Sequence, residues 1–248
     1  MRSANYNIVG QHYSSLRKPD PVIARIIHSQ LTDVLSIINI GAGTGSYEPL
    51  DKFIVAIDPS ETMLAQRATN NAVLVRGCAE QLPFQTGSFD AALAVLTIHH
   101  WDNWEAGLRE ARRVAAKKIV IFTWVGMPHG FWLFDYFPEI EHIDKNLFPT
   151  VEQLSKVLGR VKVIPVPIPA MCTDGFLCAY WRRPESYLNP QIRSAISTFS
   201  RINNIESGLK KLSQDLETGA WHKRYCGLLD LPSHDFGYRL VVANAPFA

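Results

Sequence analysis

The stretch "IINIGAGTGSYEPL", residues 37–50, decides the fold of this chain. Apolar residues run directly into three glycines at alternate positions, Gly41, Gly43 and Gly45, and Pro49 follows closely. Glycine accepts unusual backbone angles and carries no side chain, so it lets the backbone approach a ligand. The stretch therefore predicts a buried strand that ends in a ligand-binding loop.

The composition is typical of a globular chain of one domain: 248 residues, 47% of them hydrophobic and 19% charged. A net charge of +2, spread along the chain, does not indicate a nucleic-acid partner. The longest apolar runs, 91–98 and 119–127, are shorter than the roughly 20 residues of a membrane span, and no apolar leader is visible. The four cysteines match no zinc or redox spacing, which predicts reduced, buried thiols, no metal and a cytoplasmic protein. The oligomeric state is left open.

Short apolar runs alternate with helix-patterned segments along the chain. The runs at 35–40, 53–57, 73–75, 91–96 and 118–124 predict buried strands, and "NWEAGLREARRVAA" predicts a crossover helix. Further strands are expected in "RVKVIPVPI" and "GYRLVVANA". This alternation predicts the α/β fold class.

We expect a single domain over residues 1–248 with four parts. They are an N-terminal helical segment (1–34), the core sheet with its helices (35–167), an inserted helical cap (168–236), and the last strand with a tail (237–248). Thr150, Gln153 and Gly159 mark the start and end of a helix before the sixth strand. A connection as long as the cap is typical of a functional lid.

The glycine loop differs from the dinucleotide-binding pattern G-x-G-x-x-G. Its third glycine falls one residue early, where Ser46 takes the expected place, and Pro49 leaves room for a turn or two of helix at most. A helix that short is a poor cradle for two phosphates, so an NAD(P)-dependent oxidoreductase is disfavoured.

Asp58, at the end of the second strand, can accept both hydroxyls of a ribose. It lies closer to the glycines than the roughly 20 residues typical of dinucleotide sites. The alternative is that Asp58, Pro59 and Ser60 only cap the helix that follows.

Four segments, in this order, resemble the class I S-adenosylmethionine-dependent methyltransferases, of the small-molecule, methyltransferase type 11-like kind. They are "IINIGAGTG", "IDPSETML", "GCAEQLPFQTGSFDAALAVLTIHHW" and "LREARRV". The resemblance covers residues 37–124. It implies a Rossmann-like seven-stranded sheet, mostly parallel with the last strand antiparallel. It also implies S-adenosylmethionine as cofactor, with S-adenosylhomocysteine as product.

The resemblance also implies a set of cofactor-binding residues at the carboxyl ends of strands one, two and four. They are Tyr13, Asn39, Gly41, Ala42, Gly43, Gly45, Asp58, Pro59, Met63, Cys78, Ala79, Glu80 and Leu96. Two of them depart from the family pattern, because Asn39 stands where an acid usually precedes the glycines and Cys78 where an aspartate often meets the adenine. An amide oxygen can still accept a hydrogen bond from an ammonium group, but without the charge that strengthens such a bond.

Methyl transfer needs few catalytic residues, because the cofactor carries the activation. His99 and His100 follow strand four at the side of the sheet where the methyl group would lie. Because imidazole titrates near neutrality, they are candidate proton acceptors or substrate ligands. The alternative is that they only shape the pocket. Tyr13 and Arg17 could close over the cofactor from an N-terminal helix, or be a half-buried tyrosine and a solvated arginine on an amphipathic helix.

Trp101, Phe131, Trp132 and Arg182 are candidates for the acceptor pocket, as apolar walls and as an anion ligand. The aromatics could equally be core beneath a cap, and Arg182 a solvated loop residue. Together these features predict transfer of a methyl group to a small-molecule acceptor, with no nucleic acid or membrane partner. The alternative is a cofactor-binding protein of this fold without transferase activity.

Overall fold

A computed structural model describes residues 16–67, 72–126 and 130–245, and all structural statements refer to these. The main strands are β1 (Ser36–Ile40), β2 (Phe53–Asp58), β3 (Val73–Arg76), β4 (Phe89–Val95), β5 (Ala115–Trp124), β6 (Val161–Pro165) and β9 (Tyr238–Asn244). Two short strands are β7 (Ile168–Pro169) and β8 (Ser233–His234). The helices are α1 (Pro21–His28), α2 (Glu61–Ala65), α3 (Trp104–Val114), α4 (Glu139–Leu147), α5 (Val151–Leu158), α6 (Pro190–Ser194), α7 (Glu206–Glu217) and α8 (Ala220–Leu229).

The seven main strands form one sheet in the order β3-β2-β1-β4-β5-β9-β6. Strand β9 runs antiparallel to both neighbours, β5 and β6, and the other described pairs of this sheet are parallel. The predicted α/β class and the mostly parallel sheet with an antiparallel last strand are therefore confirmed. The carboxyl ends of β1, β2 and β4 lie side by side at one edge, which is where open α/β sheets bind ligands.

Both faces of the sheet are covered, which explains why its strands are nearly continuous apolar runs. Successive side chains of β1 alternate, so Ile37 packs into one core with α1, while Ile38 and Ile40 pack into the other. The second core is closed by α3 and α5 through Leu108 and Leu154. Helix α5 begins with the capping box predicted from the sequence, Thr150 with Gln153, and Gly159 is its C-cap.

The cap consists of two chain segments that pack together over the first core. Residues 130–150, with α4, contact residues 166–237 through buried hydrogen bonds. Thr198 Oγ1 donates to Asp144 Oδ1 at 2.9 Å, and Trp132 Nε1 donates to the carbonyl of Trp181 at 2.8 Å. The cap therefore extends beyond the predicted 168–236 segment.

The cap is also less helical than its pattern suggests. Besides α4, α6, α7 and α8 it holds four 3₁₀ segments (Trp132–Asp135, Leu177–Tyr180, Pro184–Leu188 and Ser197–Arg201) and the β7–β8 ribbon. The predicted helical stretch after Pro190 breaks at Ile196, whose backbone is extended (φ −110°, ψ 103°) and whose side chain is buried. Burial of this β-branched side chain overrides a weak helical pattern.

The four cysteines are all free, but only Cys172 and Cys178 are buried. The expectation of buried thiols is wrong for Cys78, which follows edge strand β3, and for Cys226, on the exposed side of α8. In the described part of the chain no helix is long and apolar enough to cross a membrane.

Candidate active site

The loop after β1 exposes its backbone, as the glycine spacing predicts. Gly41, Gly43 and Gly45 have positive φ angles of 67°, 49° and 87°, which glycine tolerates best. A Cβ atom at Gly41 would lie 2.0 Å from Thr97 Oγ1. No helix follows before β2, and this part of the prediction is confirmed.

Asp58 ties the glycine loop to the end of β2. Its Oδ2 accepts the amide hydrogen of Gly43 at 2.9 Å, and its Oδ1 accepts that of Ser60 at 2.8 Å. The cap of α2 is formed by Ser60, whose Oγ accepts from the amide of Met63. Burial raises the pKa of the Asp58 carboxyl, while these backbone donors oppose the rise. Each oxygen keeps a lone pair for a further donor such as a hydroxyl group.

Asn39, the last polar residue of β1, is fully buried beside the glycines. Its Nδ2 donates to Glu48 Oε1 at 2.7 Å, whereas its Oδ1 accepts no hydrogen bond from the described residues. Glu48 in turn forms an ion pair with Arg67, and both side chains are almost completely buried. Arg67 Nη1 also reaches the carbonyl of Gly43 at 3.5 Å.

These residues surround a cleft of about 600 Å³, which is partly open to solvent. Its lining is formed by Arg17, Asn39, Gly41, Ala42, Gly43, Thr44, Ser46, Tyr47, Asp58, Met63, Val95, Leu96 and Thr97.

A second cavity of about 390 Å³ adjoins the cleft and shares Arg17 and Leu96 with it. This cavity is also partly open to solvent. Its other lining residues are His99 and His100 and, from the second cap segment, Phe176, Leu177, Ala195, Ile196, Ser197 and Thr198. Leu96 has a left-handed backbone (φ 48°), a costly conformation that turns the chain from β4 into the wall between the two spaces.

His99 and His100 line the second cavity, with their rings 3.8 Å apart, and His99 also stacks on Phe148. Burial lowers the pKa of His99 well below its usual value, and it lowers the pKa of His100 to about 3. The positive charges of Arg17 and Arg201 act in the same direction. Both rings are therefore neutral near pH 7, and neither matches the near-neutral pKa on which the general-base hypothesis rests.

Hydrogen bonds join the first described residues of the chain to the glycine loop and to the cap, and we call this group of contacts the clamp. Arg17 Nε donates to Asp174 Oδ1 at 2.5 Å, and Tyr47 Oη donates to Asp174 Oδ2 at 2.8 Å. The amide of Asp20 donates to Tyr47 Oη at 3.2 Å. Tyr47 has a positive φ of 65°, so the chain turns sharply there, and the consecutive residues Tyr47 and Glu48 are both buried.

The predicted cofactor residues fall into three groups. Asn39, Gly41, Ala42, Gly43, Asp58, Met63 and Leu96 line the cleft. Gly45, Pro59, Cys78, Ala79 and Glu80 do not line it, and Glu80 instead accepts the amide hydrogen of Asn103 beside α3. Tyr13 lies outside the described residues.

The four predicted acceptor residues line neither the cleft nor the second cavity. Trp101 packs on Gly107 of α3, and Arg182 donates to the carbonyl of Leu231. Phe131 and Trp132 are buried in the aromatic cluster of the cap and border an outer groove. Sequence reasoning instead missed Thr97, Tyr47 and the wall at 195–198, because nothing in their local pattern distinguishes them from core or loop residues.

The cleft fits an adenosyl cofactor that carries an amino acid. The glycines leave its floor without side chains, Asp58 can accept the two hydroxyls of a ribose, and Asn39 Oδ1 is a buried acceptor with no hydrogen bond from the described residues. No group of three or more His, Cys, Asp or Glu in the described residues could hold a metal ion.

Comparison with known proteins agrees with this geometry. The family described as "Methyltransferase domain" matches residues 38–122. A solved structure from Anabaena variabilis, described as a methyltransferase from an antibiotic biosynthesis pathway, is 33% identical with a TM-score of 0.86, covering 93% of this chain and 99% of that one.

Two curated relatives each match about half of this chain. The tRNA (carboxymethyluridine(34)-5-O)-methyltransferase of Saccharomyces cerevisiae is 27% identical over 48% of this chain and 46% of its own length. The chloroplastic 2-methyl-6-phytyl-1,4-hydroquinone methyltransferase 1 of Oryza sativa is 29% identical over 48% of this chain and 38% of its own length. The chain spans about half the length of the first of these relatives and less of the second. With the fold and the cleft described above, the chain belongs to the class I S-adenosylmethionine-dependent methyltransferases.

Proposed function

We propose that this chain binds S-adenosylmethionine in the cleft and transfers its methyl group to a small-molecule acceptor in the second cavity. The observation that carries the proposal is the shared wall of the two spaces, formed by Leu96 and Arg17. When bound, the cofactor supplies an activated methyl group on a sulfonium centre.

The residues of the chain then have binding and positioning roles. The glycine loop and Asp58 hold the adenosyl part, and Asn39 faces the amino-acid part. The cap residues that line the second cavity hold the acceptor and align it with the methyl group. His99 and His100 serve as neutral hydrogen-bonding groups rather than as bases, which suits an acceptor atom that is already nucleophilic.

A small molecule is favoured over a tRNA acceptor by the shape and charge of this chain. Cap residues such as Leu177 and Ile196 form part of the wall of the second cavity and restrict the approach of a base within a folded RNA. The net charge of +2 also supplies no strong electrostatic attraction for phosphates.

The test measures transfer of a labelled methyl group to a panel of small phenols, amines and carboxylic acids, and to bulk tRNA. Product formation with a small acceptor and none with tRNA is expected. Ala195→Leu, which fills part of the second cavity, should reduce transfer at least about tenfold and leave S-adenosylhomocysteine binding unchanged. Ala220→Leu, on α8 and outside both linings, is the matched control.

The outcomes separate the competing functions. Label in tRNA alone would overturn the acceptor class. Binding of S-adenosylhomocysteine without transfer to any acceptor would favour a cofactor-binding protein without transferase activity. The lowered pKa values of His99 and His100 also favour this alternative, because neither histidine has the near-neutral pKa of a general base. Absence of binding by either sulfur ligand would overturn both functions.

A further inference from the structure

The buried pair formed by Asn39 and Glu48 fixes which end of an amide faces the cleft. An ionised carboxylate accepts hydrogen bonds only, so the side-chain atom of Asn39 that lies 2.7 Å from Glu48 Oε1 must be the amide nitrogen. The oxygen of Asn39 is then at the other end of the amide, in a residue that lines the cleft, and this buried atom accepts no hydrogen bond from the described residues.

Arg67 fixes the orientation of Glu48 in turn. Its Nη2 pairs with Glu48 Oε2, on the side of the carboxylate opposite to Asn39. Arg67 is also near the loop itself, since its guanidinium lies 2.9 Å from where a Cβ of Gly45 would be. Arg67, Glu48 and Asn39 thus form one chain of donors and acceptors that ends at the Asn39 oxygen.

We propose that Glu48 is a positioning residue of the cofactor site, which holds the Asn39 amide so that its oxygen accepts a hydrogen bond from the cofactor's ammonium group. The family pattern predicts an acid at position 39. Here an amide, Asn39, stands at that position, and the carboxylate of Glu48 orients it through a hydrogen bond. This inference rests on the proposed binding of S-adenosylmethionine.

The arrangement has a specific consequence for the change Glu48→Gln. Arg67 is a pure donor and keeps the oxygen of the new amide, so the new NH₂ group faces Asn39. Asn39 must then turn its oxygen inward to accept this hydrogen bond, and its own NH₂ group faces the cleft. A donor there opposes an ammonium group. The double variant Asn39→Asp/Glu48→Gln should remove this conflict. One aspartate oxygen accepts from the NH₂ group of Gln at position 48, and the other accepts from the ammonium group.

The experiment compares two ligands by calorimetry: S-adenosylhomocysteine, which carries the ammonium, and 5′-methylthioadenosine, which lacks the amino-acid part. Glu48→Gln should weaken the binding of S-adenosylhomocysteine at least about tenfold. Binding of 5′-methylthioadenosine should stay within about twofold. The double variant should restore S-adenosylhomocysteine binding to the wild-type level or better. Asn39→Leu, which removes the oxygen but leaves the Glu48–Arg67 pair, should lose only the first ligand.

Unchanged S-adenosylhomocysteine affinity in Glu48→Gln, or an equal loss of both ligands that the double variant does not restore, overturns the inference. If Glu48→Gln does not fold, retention of S-adenosylhomocysteine affinity by Asn39→Leu overturns it. Failure of the proposed function is distinct, because the wild-type chain would then bind neither ligand.

Discussion

The carboxyl group of Asp58 does two things at once, because it holds the amides of Gly43 and Ser60 and faces the cleft with its remaining lone pairs. The choice between a helix cap and a ribose ligand is therefore not exclusive. Capping of α2 itself depends on Ser60, which leaves Asp58 available for the cofactor.

Asp58→Ala should weaken S-adenosylhomocysteine binding by about 1.5 to 3 kcal/mol, the range for hydrogen bonds to a charged group. That is roughly a tenfold to hundredfold rise in the dissociation constant, measured by calorimetry. Asp51→Ala, an exposed aspartate before the other end of β2, is the control and should bind normally. Unchanged binding in Asp58→Ala would show that the carboxylate only supports the loop.

His99 and His100 should not titrate between pH 5 and 8 in the folded protein, because burial keeps the neutral form. A folded pKa below the unfolded value of about 6.5 means that their contribution to stability is complete above pH 6.5 and is lost as the pH falls. We expect His100→Gln to reduce this acid loss, by up to about 1.4 kcal/mol per pH unit. Urea unfolding at pH 7 and pH 5 measures it, with exposed His142→Gln as the control. A ring titration near pH 6.5 by NMR would contradict the prediction.

At the level of elements, the glycine loop owes its shape to two separate constraints, a backbone angle and a close approach. Gly41 is subject to both, since it has a positive φ and lies against Thr97. Gly87 has a similar φ of 69° but nothing within 4 Å of its would-be Cβ atom.

Alanine at these two positions separates the constraints. Gly87→Ala should cost roughly 1 to 2 kcal/mol of unfolding free energy, from the left-handed backbone alone. Gly41→Ala should cost at least about 1 kcal/mol more, because its Cβ overlaps Thr97 and β1 and β4 must move apart. Chemical denaturation measures both values, and equal costs would show that the contact with Thr97 relaxes freely.

The strands of the core could be predicted from the sequence because each is a short apolar run covered on both faces. Their bounds agree with the structure to within three residues, as in β5, which begins at Ala115 rather than at 118. The cap could not be predicted to the same degree. Its aromatic residues form long-range contacts, such as Phe131 with Phe236, that no local periodicity encodes.

In the candidate site, too, some residues could be predicted from local sequence pattern and others could not. Asp58 and the glycines follow local rules at strand ends and were identifiable, whereas Glu48 and Arg67 act through a buried contact between residues far apart in sequence. His99 and His100 illustrate a different limit, because the sequence gives the residue type but not the burial that lowers the pKa.

For the molecule as a whole, Asp174 joins the start of the described chain, the glycine loop and the cap. Its two oxygens accept from Arg17 and Tyr47, and it is almost completely buried. The amide of the next residue, Gly175, donates to the carbonyl of Leu16 at 3.1 Å. Movement of the cap is therefore coupled to the loop that lines the cleft.

Tyr47→Phe should destabilise the protein by about 1 to 3 kcal/mol, because it removes one of the hydrogen bonds to a buried carboxylate. Amide exchange at Gly175 should quicken as the clamp loosens, whereas Tyr225→Phe, which loses a hydrogen bond to exposed Asp135, should leave that amide unchanged. Hydrogen exchange and urea unfolding provide the measurements. Slow exchange at Gly175 in Tyr47→Phe would mean that Arg17 alone holds the clamp.

The position of β9 has a consequence for synthesis on the ribosome. This strand enters the sheet between β5 and β6, yet it is made after both of them and after the whole second cap segment. Until it emerges from the exit tunnel, one edge of β5 and both edges of β6 have no backbone partner in the described sheet, and exposed strand edges are templates for aggregation. We therefore expect the nascent chain to be most prone to aggregation while the second cap segment is being translated, until β9 pairs with β5 and β6.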